Sequence, residues 1–304
     1  MPIEDHDRKM SSISAFVKSL RPHQWIKNIL IFIPMLLAGK AGDSSVWLNS
    51  LLGFIGFTLV AASMYLVNDV RDLPLDRLHW SKKNRPIARG DLSVTAALTG
   101  AVLGILAGFA CTLMTGFAAF AVAFSYMALN AAYSLQFREI AIFDVLVLAS
   151  LYTLRLVFGV YVASVTLSPW LLVFSMFIFT SLCFAKRHTE IEKQRGHGET
   201  INAGRGYVIA DAPFILAFGI ASAAGAVLIM ILYLIEEAFN ADFYSNPIWL
   251  WCLPPILFLW LGRIWLFAGR NKLDDDPIRF AISDKTSLAL GGAMVIAFLA
   301  AWKL

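Results

Sequence analysis

The sequence predicts an all-α integral membrane protein of nine transmembrane helices, with the N-terminus cytoplasmic and the C-terminus on the periplasmic or extracellular side. Three observations predict it. Of 304 residues, 59% are apolar and 15% charged, against about 45–50% and about 25% in a soluble globular domain. With a mean hydropathy of +0.69, too little polar side chain remains to cover a water-exposed surface, which excludes a soluble enzyme, a disordered chain and a collagen-like one. Nine apolar runs approach the roughly 20 residues that a hydrocarbon core about 30 Å thick requires. Finally, 21 of the 25 lysines and arginines fall in the N-terminal segment or in the four connections that this topology turns inward, where positive charge is retained.

The elements follow in order. The first 23 residues carry Arg8, Lys9, Lys18 and Arg21 and do not read as a signal peptide. Within them Ile13, Phe16, Val17 and Leu20 share one helix face, predicting a helix on the membrane surface. The nine runs cover approximately 26–42, 47–67, 93–114, 117–135, 141–162, 168–185, 208–235, 247–268 and 285–303. Turns at Gly116 and at Ser168-Pro169 make two of the pairs hairpins. The whole of 1–304 reads as one polytopic domain, with 1–23 as a lead-in and 68–92 and 186–207 as inward loops able to carry chemistry. The inward positive charge is also what anionic headgroups attract, and nucleic acid is not implied. Cys111, Cys183 and Cys252 lie singly in apolar runs, and His6, His23, His79, His188 and His197 have no zinc-site spacing.

The chemistry concentrates where the second run ends, in Asn68-Asp69-Val70-Arg71-Asp72-Leu73-Pro74-Leu75-Asp76. If helical periodicity continues, Asn68, Asp72 and Asp76 stack at i, i+4 and i+8 with Asp69 beside them. Carboxylates so spaced repel one another and ask for a cation between them. Hard oxygen donors of this kind suit magnesium, with substrate phosphates completing its shell. The basic run that follows contains His79, Lys82, Lys83, Asn84, Arg85 and Arg89. It would put cations on the far side of a metal-bound diphosphate. For Lys82 and Lys83, topology alone is an equal explanation.

Gln24, Lys27 and Asn28 share a predicted helix face at the cytoplasmic edge of the first run, for phosphate binding or for a snorkelling lysine. Asp144 and Arg155 lie near or within the fifth run, where ionisable groups are expensive, and either bind substrate or pair with one another. Glu190 is either a metal ligand or a partner of Arg187.

Asn68, Asp69, Asp72 and Asp76 match the NDxxDxxxD signature of the UbiA superfamily of intramembrane prenyltransferases, which the sequence resembles. Arg21-Pro22-His23-Gln24-Trp25-Ile26-Lys27-Asn28, Asn84-Arg85-Pro86-Ile87-Ala88, Tyr133-Ser134 with Arg138 and Asp144, and Ala185-Lys186-Arg187-His188-Thr189-Glu190 are similar to the decaprenyl-phosphate phosphoribosyltransferase branch. Aromatic prenyltransferases of the superfamily carry a second aspartate motif after the sixth helix; here Lys186-Arg187-His188 makes it basic. The resemblance implies a UbiA-like bundle in a bacterial cytoplasmic membrane, with a site facing the cytoplasm. It implies Mg2+, with Mn2+ as substitute, on Asn68, Asp69, Asp72 and Asp76. It implies phosphoribosyl pyrophosphate and a polyprenyl phosphate as substrates, and is compatible with a homo-oligomer. The substrate-binding residues it suggests are Gln24, Lys27, Asn28, Lys83, Arg85, Tyr133, Arg138, Asp144, Arg155, Lys186, Arg187 and Glu190, with Arg138 standing where that branch has Lys. The competing readings are an aromatic polyprenyltransferase acting on a 4-hydroxybenzoate-type acceptor and a non-catalytic lipid-phosphate transporter.

Overall fold

A computed structural model describes residues 11–78, 82–196, 206–273, 280–281 and 283–303. Among these residues the regular structure is helical throughout. In chain order the α-helices are α1 (Ser12–Ser19), α2 (Ile33–Leu37), α3 (Ser44–Arg71), α4 (Leu73–Leu78), α5 (Pro86–Arg89), α6 (Val94–Thr115) and α7 (Phe117–Leu135). There follow α8 (Phe143–Ala163), α9 (Pro169–Gly196), α10 (Ala212–Glu236), α11 (Leu253–Gly269) and α12 (Lys285–Lys303).

Eight helical stretches among the described residues are long and apolar enough to cross a membrane, and they match eight of the nine predicted runs. The first run, 26–42, takes a different form: a 3-10 stretch over Pro22–Phe32, then the five-residue α2, then a turn at Gly39 with φ +69°. Hydropathy is blind to the cause. Pro34 lacks the N–H that an α-helical ladder would direct to Leu30, and Gly39 sits in the left-handed region that ends a helix.

The contacts divide into two compact units: Met1–Met35, Asp43–Ser134 and Phe158–Ser164 form the first, and Leu36–Gly42, Leu135–Val157 and Val165–Leu304 the second. In the first unit α3 begins at an Asp43 cap, whose carboxylate accepts from Ser45 and Val46 N–H. It runs closely against α6. A Cβ on Gly56 would stand 2.9 Å from the Gly108 carbonyl oxygen, the small-residue approach that membrane helices use where apolar surface alone gives no drive to associate. Phe57 packs on Tyr126 at 4.6 Å and Phe158 at 4.9 Å between ring centroids.

Helix α1 leaves only half of its apolar face exposed. Ala15 is buried with Leu66, Ile87, Leu92, Ala97 and Ala101, and Phe16 and Leu20 pack on that cluster, while Ile13 and Val17 stay exposed. This cluster gathers α1, α5 and the ends of α3 and α6, and so positions the charged residues that flank it.

In the second unit α9 packs along α10, where Ser181 donates to the Gly219 carbonyl at 2.8 Å and accepts from Trp265 Nε1 at 3.0 Å. Arg263 of α11 pairs with Asp284 at 2.9 Å, and Asp284 caps α12 by accepting from the Ser287 N–H. Burial favours the protonated form of Asp284, but Arg263 and Ser287 outweigh it and hold the carboxyl below its ordinary range.

Candidate active site

Pro74 cannot donate to the carbonyl of Val70, so α3 gives way to α4 at Asp72. The helical register survives the break: Asp72 N–H bonds to Asn68 O at 2.9 Å, and Asp76 N–H to Asp72 O at 2.8 Å. Asn68, Asp72 and Asp76 therefore succeed one another by single turns, as the spacing predicts. Asp69 and Asp76 are joined in another way. Seven residues and about two turns apart, they are both buried and share one guanidinium nitrogen. Arg85 Nη1 donates to Asp69 Oδ1 at 3.0 Å and to Asp76 Oδ2 at 2.6 Å.

A second arginine, Arg21, pairs with Asp69 Oδ1 and lies over the Tyr65 ring at 5.1 Å. The buried cluster under α1 and α5 explains both placements. Arg85 is the residue before Pro86 at the start of α5, held extended at φ −65°, ψ 142°, as a residue preceding proline prefers. Arg21 follows α1 in the left-handed region, at φ 52°. Asn68 Nδ2 reaches Asn130 Oδ1 of α7 at 3.5 Å. In the sequence Arg21 stands out only as a basic residue of the N-terminal segment and of the Arg21–Asn28 motif, and Asn130 not at all; the two pairings join positions 48 and 62 residues apart, which no local pattern encodes.

The first unit also holds the predicted residues Lys83, Tyr133, Gln24, Lys27 and Asn28. Lys83 is exposed in a 3-10 turn, and Tyr133 is half-buried in the last turn of α7. Gln24 and Lys27 are half-buried, whereas Asn28 is buried and donates to Thr58 Oγ1 at 3.0 Å. The shared face expected of these three assumed 3.6 residues per turn. In a 3-10 stretch, with three per turn, Gln24 and Lys27 align and Asn28 turns away toward α3.

In the second unit the start of α8 and the end of α9 meet at a closed ionic group. Asp144, fully buried, accepts from Arg187 Nε at 2.6 Å and from the Tyr207 hydroxyl at 2.6 Å. Arg187, also fully buried, pairs with Glu190 through Nη1. The Tyr207 oxygen accepts in turn from the N–H of Ile142 at 2.7 Å. Ile142 has φ 68°, a costly conformation for a β-branched residue, and this hydrogen bond helps to hold it. Burial, then the bond to Asp144, push the Tyr207 phenol well above its ordinary pKa, so it remains a donor through neutral and alkaline pH.

Of the two alternatives for Asp144, the structure pairs it with Arg187 and not with Arg155, which lies eleven positions and about 16 Å further along α8. Arg155 is buried, donates to the Leu151 carbonyl at 2.5 Å and lies over the Tyr152 ring at 5.1 Å. Glu190 serves as a partner of Arg187. Lys186 and Arg138 are half-buried. His6, His79 and His197, and much of the predicted loop 186–207, lie outside the described residues.

A family model described as the UbiA prenyltransferase family matches residues 29–302. The chain belongs to the UbiA family. It is therefore one of a family of multi-pass membrane enzymes. Among UbiA relatives, the y4nM protein of Sinorhizobium fredii is 39% identical over 96% of this chain and 57% of its own length. Nodulation protein NoeC of Azorhizobium caulinodans is 31% identical over 93% of this chain and 92% of its own. A decaprenyl-phosphate phosphoribosyltransferase of Mycobacterium tuberculosis is 32% identical over 62% of this chain and 64% of its own. The chain thus spans well under two thirds of the first of these relatives. A UbiA homolog from Archaeoglobus fulgidus, solved bound to DMAPP and Mg2+, shares the fold with a TM-score of 0.70 at 15% identity, over 94% of this chain and 97% of that one.

Proposed function

We propose that this UbiA-family chain transfers 5-phosphoribose from phosphoribosyl pyrophosphate to a polyprenyl phosphate, with release of diphosphate, and depends on a divalent cation. The observation that carries the reading is the alternation of buried acid and guanidinium at Asp69, Arg85 and Asp76, with Arg21 beside them. A diphosphate bound through a metal needs acids on the metal's side and cations on its own, and this cluster supplies both. The similarity to decaprenyl-phosphate phosphoribosyltransferase supports the choice of donor. So does the lack of a second acidic motif at 186–188, where Lys186-Arg187-His188 stands and Arg187 is taken up by Asp144 and Glu190. A phosphoribosyl donor carries a 5-phosphate besides its diphosphate, and its acceptor carries another.

The donor set is carboxylate and carboxamide oxygen, which fits magnesium, or manganese in its place. Asn68, Asp69, Asp72 and Asp76 would hold it. When bound, the ion neutralises charge on the departing diphosphate. The chain's own cations do the rest of the electrostatic work. Arg85 and Arg21 hold diphosphate oxygens, with Lys27, Gln24 and Lys83 as further phosphate contacts in the first unit. In the second unit Arg187, committed to Asp144 and Glu190, positions α9. The C1–O bond to diphosphate breaks with its electron pair leaving on oxygen, C1 becomes oxocarbenium-like, and a lipid phosphate oxygen forms the new bond. That nucleophile is anionic at neutral pH, so no strong general base is required.

The reading is tested with protein purified in detergent and offered two substrate pairs: labelled phosphoribosyl pyrophosphate with polyprenyl phosphate, and prenyl diphosphate with 4-hydroxybenzoate. Labelled lipid from the first pair alone is the expected result. Prenylated aromatic product from the second pair alone would replace this reading with an aromatic prenyltransferase.

A further inference from the structure

Asp69 and Asp76 present two carboxylates that are each about 3% exposed. Two charges cannot lie so deep uncompensated: each would lose its ionisation. The compensation here is a single nitrogen of Arg85 between the two oxygens, together with Arg21 on Asp69. Among the described residues, no three His, Cys, Asp or Glu side chains converge closely enough to hold a metal ion. The acids thus face guanidinium where the proposed function has them face a dication.

The two kinds of partner differ in their freedom. The carboxylates are buried on the rigid end of α3 and on α4, whereas the Arg85 side chain is 27% exposed. Its guanidinium makes no cap to α5, so moving it costs that helix nothing. Arg21 is more constrained, by its contact with Tyr65, and it touches one acid where Arg85 touches two.

We propose that Arg85, assisted by Arg21, is a placeholder cation. With neither metal nor donor present it neutralises Asp69 and Asp76, and it is released onto the donor's phosphate when a divalent cation takes those carboxylates. This rests on the assignment of the acids as a metal–diphosphate site and adds to it an exchange of partners. No bond is made or broken beyond hydrogen bonds and ion pairs. The exchange makes the arginine a competitor of the metal when donor is absent, although the same residue helps to bind donor. It also disfavours a filled metal site without a phosphate to neutralise, because the displaced guanidinium would then lack an anion.

The competition has a sign that a purely phosphate-binding or purely structural arginine would not show. Binding of Mn2+ alone is measured on the full chain in detergent, from the electron paramagnetic resonance signal of free Mn2+, with no phosphate present. Arg85→Gln is expected to bind Mn2+ about tenfold more tightly than the wild type, since a positive charge next to both acids is gone. Arg21→Gln is expected to bind about threefold more tightly, and Asp76→Asn at least tenfold more weakly. Unchanged or weaker binding by Arg85→Gln, beside Asp76-dependent binding by the wild type, overturns the exchange and leaves the metal assignment standing. Should Arg85→Gln fail to fold, Arg21→Gln decides by the same criterion. Absence of Asp76-dependent Mn2+ binding in the wild type and in both arginine variants overturns the metal assignment itself, and the exchange with it.

Discussion

Arg187 donates from Nε to Asp144 Oδ2 at 2.6 Å, and neither side chain reaches solvent. The pair joins the last turns of α9 to the first turn of α8. Removing Arg187 leaves Asp144 buried with the Tyr207 hydroxyl, and removing Asp144 leaves buried Arg187 with Glu190, a loss that approaches the roughly 3–5 kcal/mol of a broken buried pair. Arg187→Met is therefore expected to lower the thermal unfolding midpoint in detergent strongly, and Asp144→Leu likewise. The double variant is expected to recover much of the loss, because replacing both partners removes the isolated charge. Additive losses would show that the two side chains act independently.

Tyr207 supplies the third contact of that group. Tyr207→Phe removes the donor to Asp144 and the acceptor for Ile142 N–H, and an unfolding midpoint lower by the equivalent of about 1–3 kcal/mol is expected. The pH dependence has a definite sign. The folded phenol titrates above its ordinary value, so its contribution is complete below the unfolded value near pH 10 and is lost as pH rises beyond it. Between pH 10 and 11.5 the wild type should lose stability more steeply than Tyr207→Phe.

Close approach of α3 and α6 is set by two glycines. A Cβ on Gly108 would lie 2.7 Å from the Gly56 carbonyl oxygen and 2.8 Å from Val60 Cγ2. The backbone oxygen cannot rotate aside, so Gly108→Ala must push the helices apart. A cost of about 1–3 kcal/mol is expected, read as a lower unfolding midpoint. The same substitution at Gly262, where a Cβ meets nothing within 4 Å, should leave the midpoint within about 0.5 kcal/mol of the wild type.

Asn28 separates a packing role from a binding one. It is buried and donates to Thr58, so Asn28→Ala should lower thermal stability by the equivalent of about 1–3 kcal/mol. Lys27→Ala should leave stability unchanged and instead raise the KM for the phosphate substrate. The reverse pattern would place Asn28 at the substrate.

Much of this was legible in the sequence, for identifiable reasons. Hydropathy finds a span wherever a run is both apolar and regular, and it located eight of them. The run 26–42 is helical in a mixed 3-10 and α form, because Pro34 acts on hydrogen bonding, which a transfer scale does not weigh. Helical periodicity carried Asn68, Asp72 and Asp76 through the break at Pro74. It also sets Asp69 beside Asp72 and Asp76; what it does not contain is the Arg85 guanidinium that Asp69 and Asp76 share. Arg21, Asn130 and Tyr207 were not legible as partners of Asp69, Asn68 and Asp144. Each depends on how distant helices dock, and no local pattern encodes it.

The central claim is that the acids of α3 and α4 serve phosphoribosyl transfer through a divalent cation. The most direct measurement is formation of labelled lipid from phosphoribosyl pyrophosphate and polyprenyl phosphate, with magnesium and with a chelator, by the wild type and by Asp76→Asn shown to be folded. The account predicts product from the wild type with magnesium, and at least a hundredfold less when either magnesium or the Asp76 carboxylate is removed. Undiminished product in chelator, or from Asp76→Asn, would contradict it.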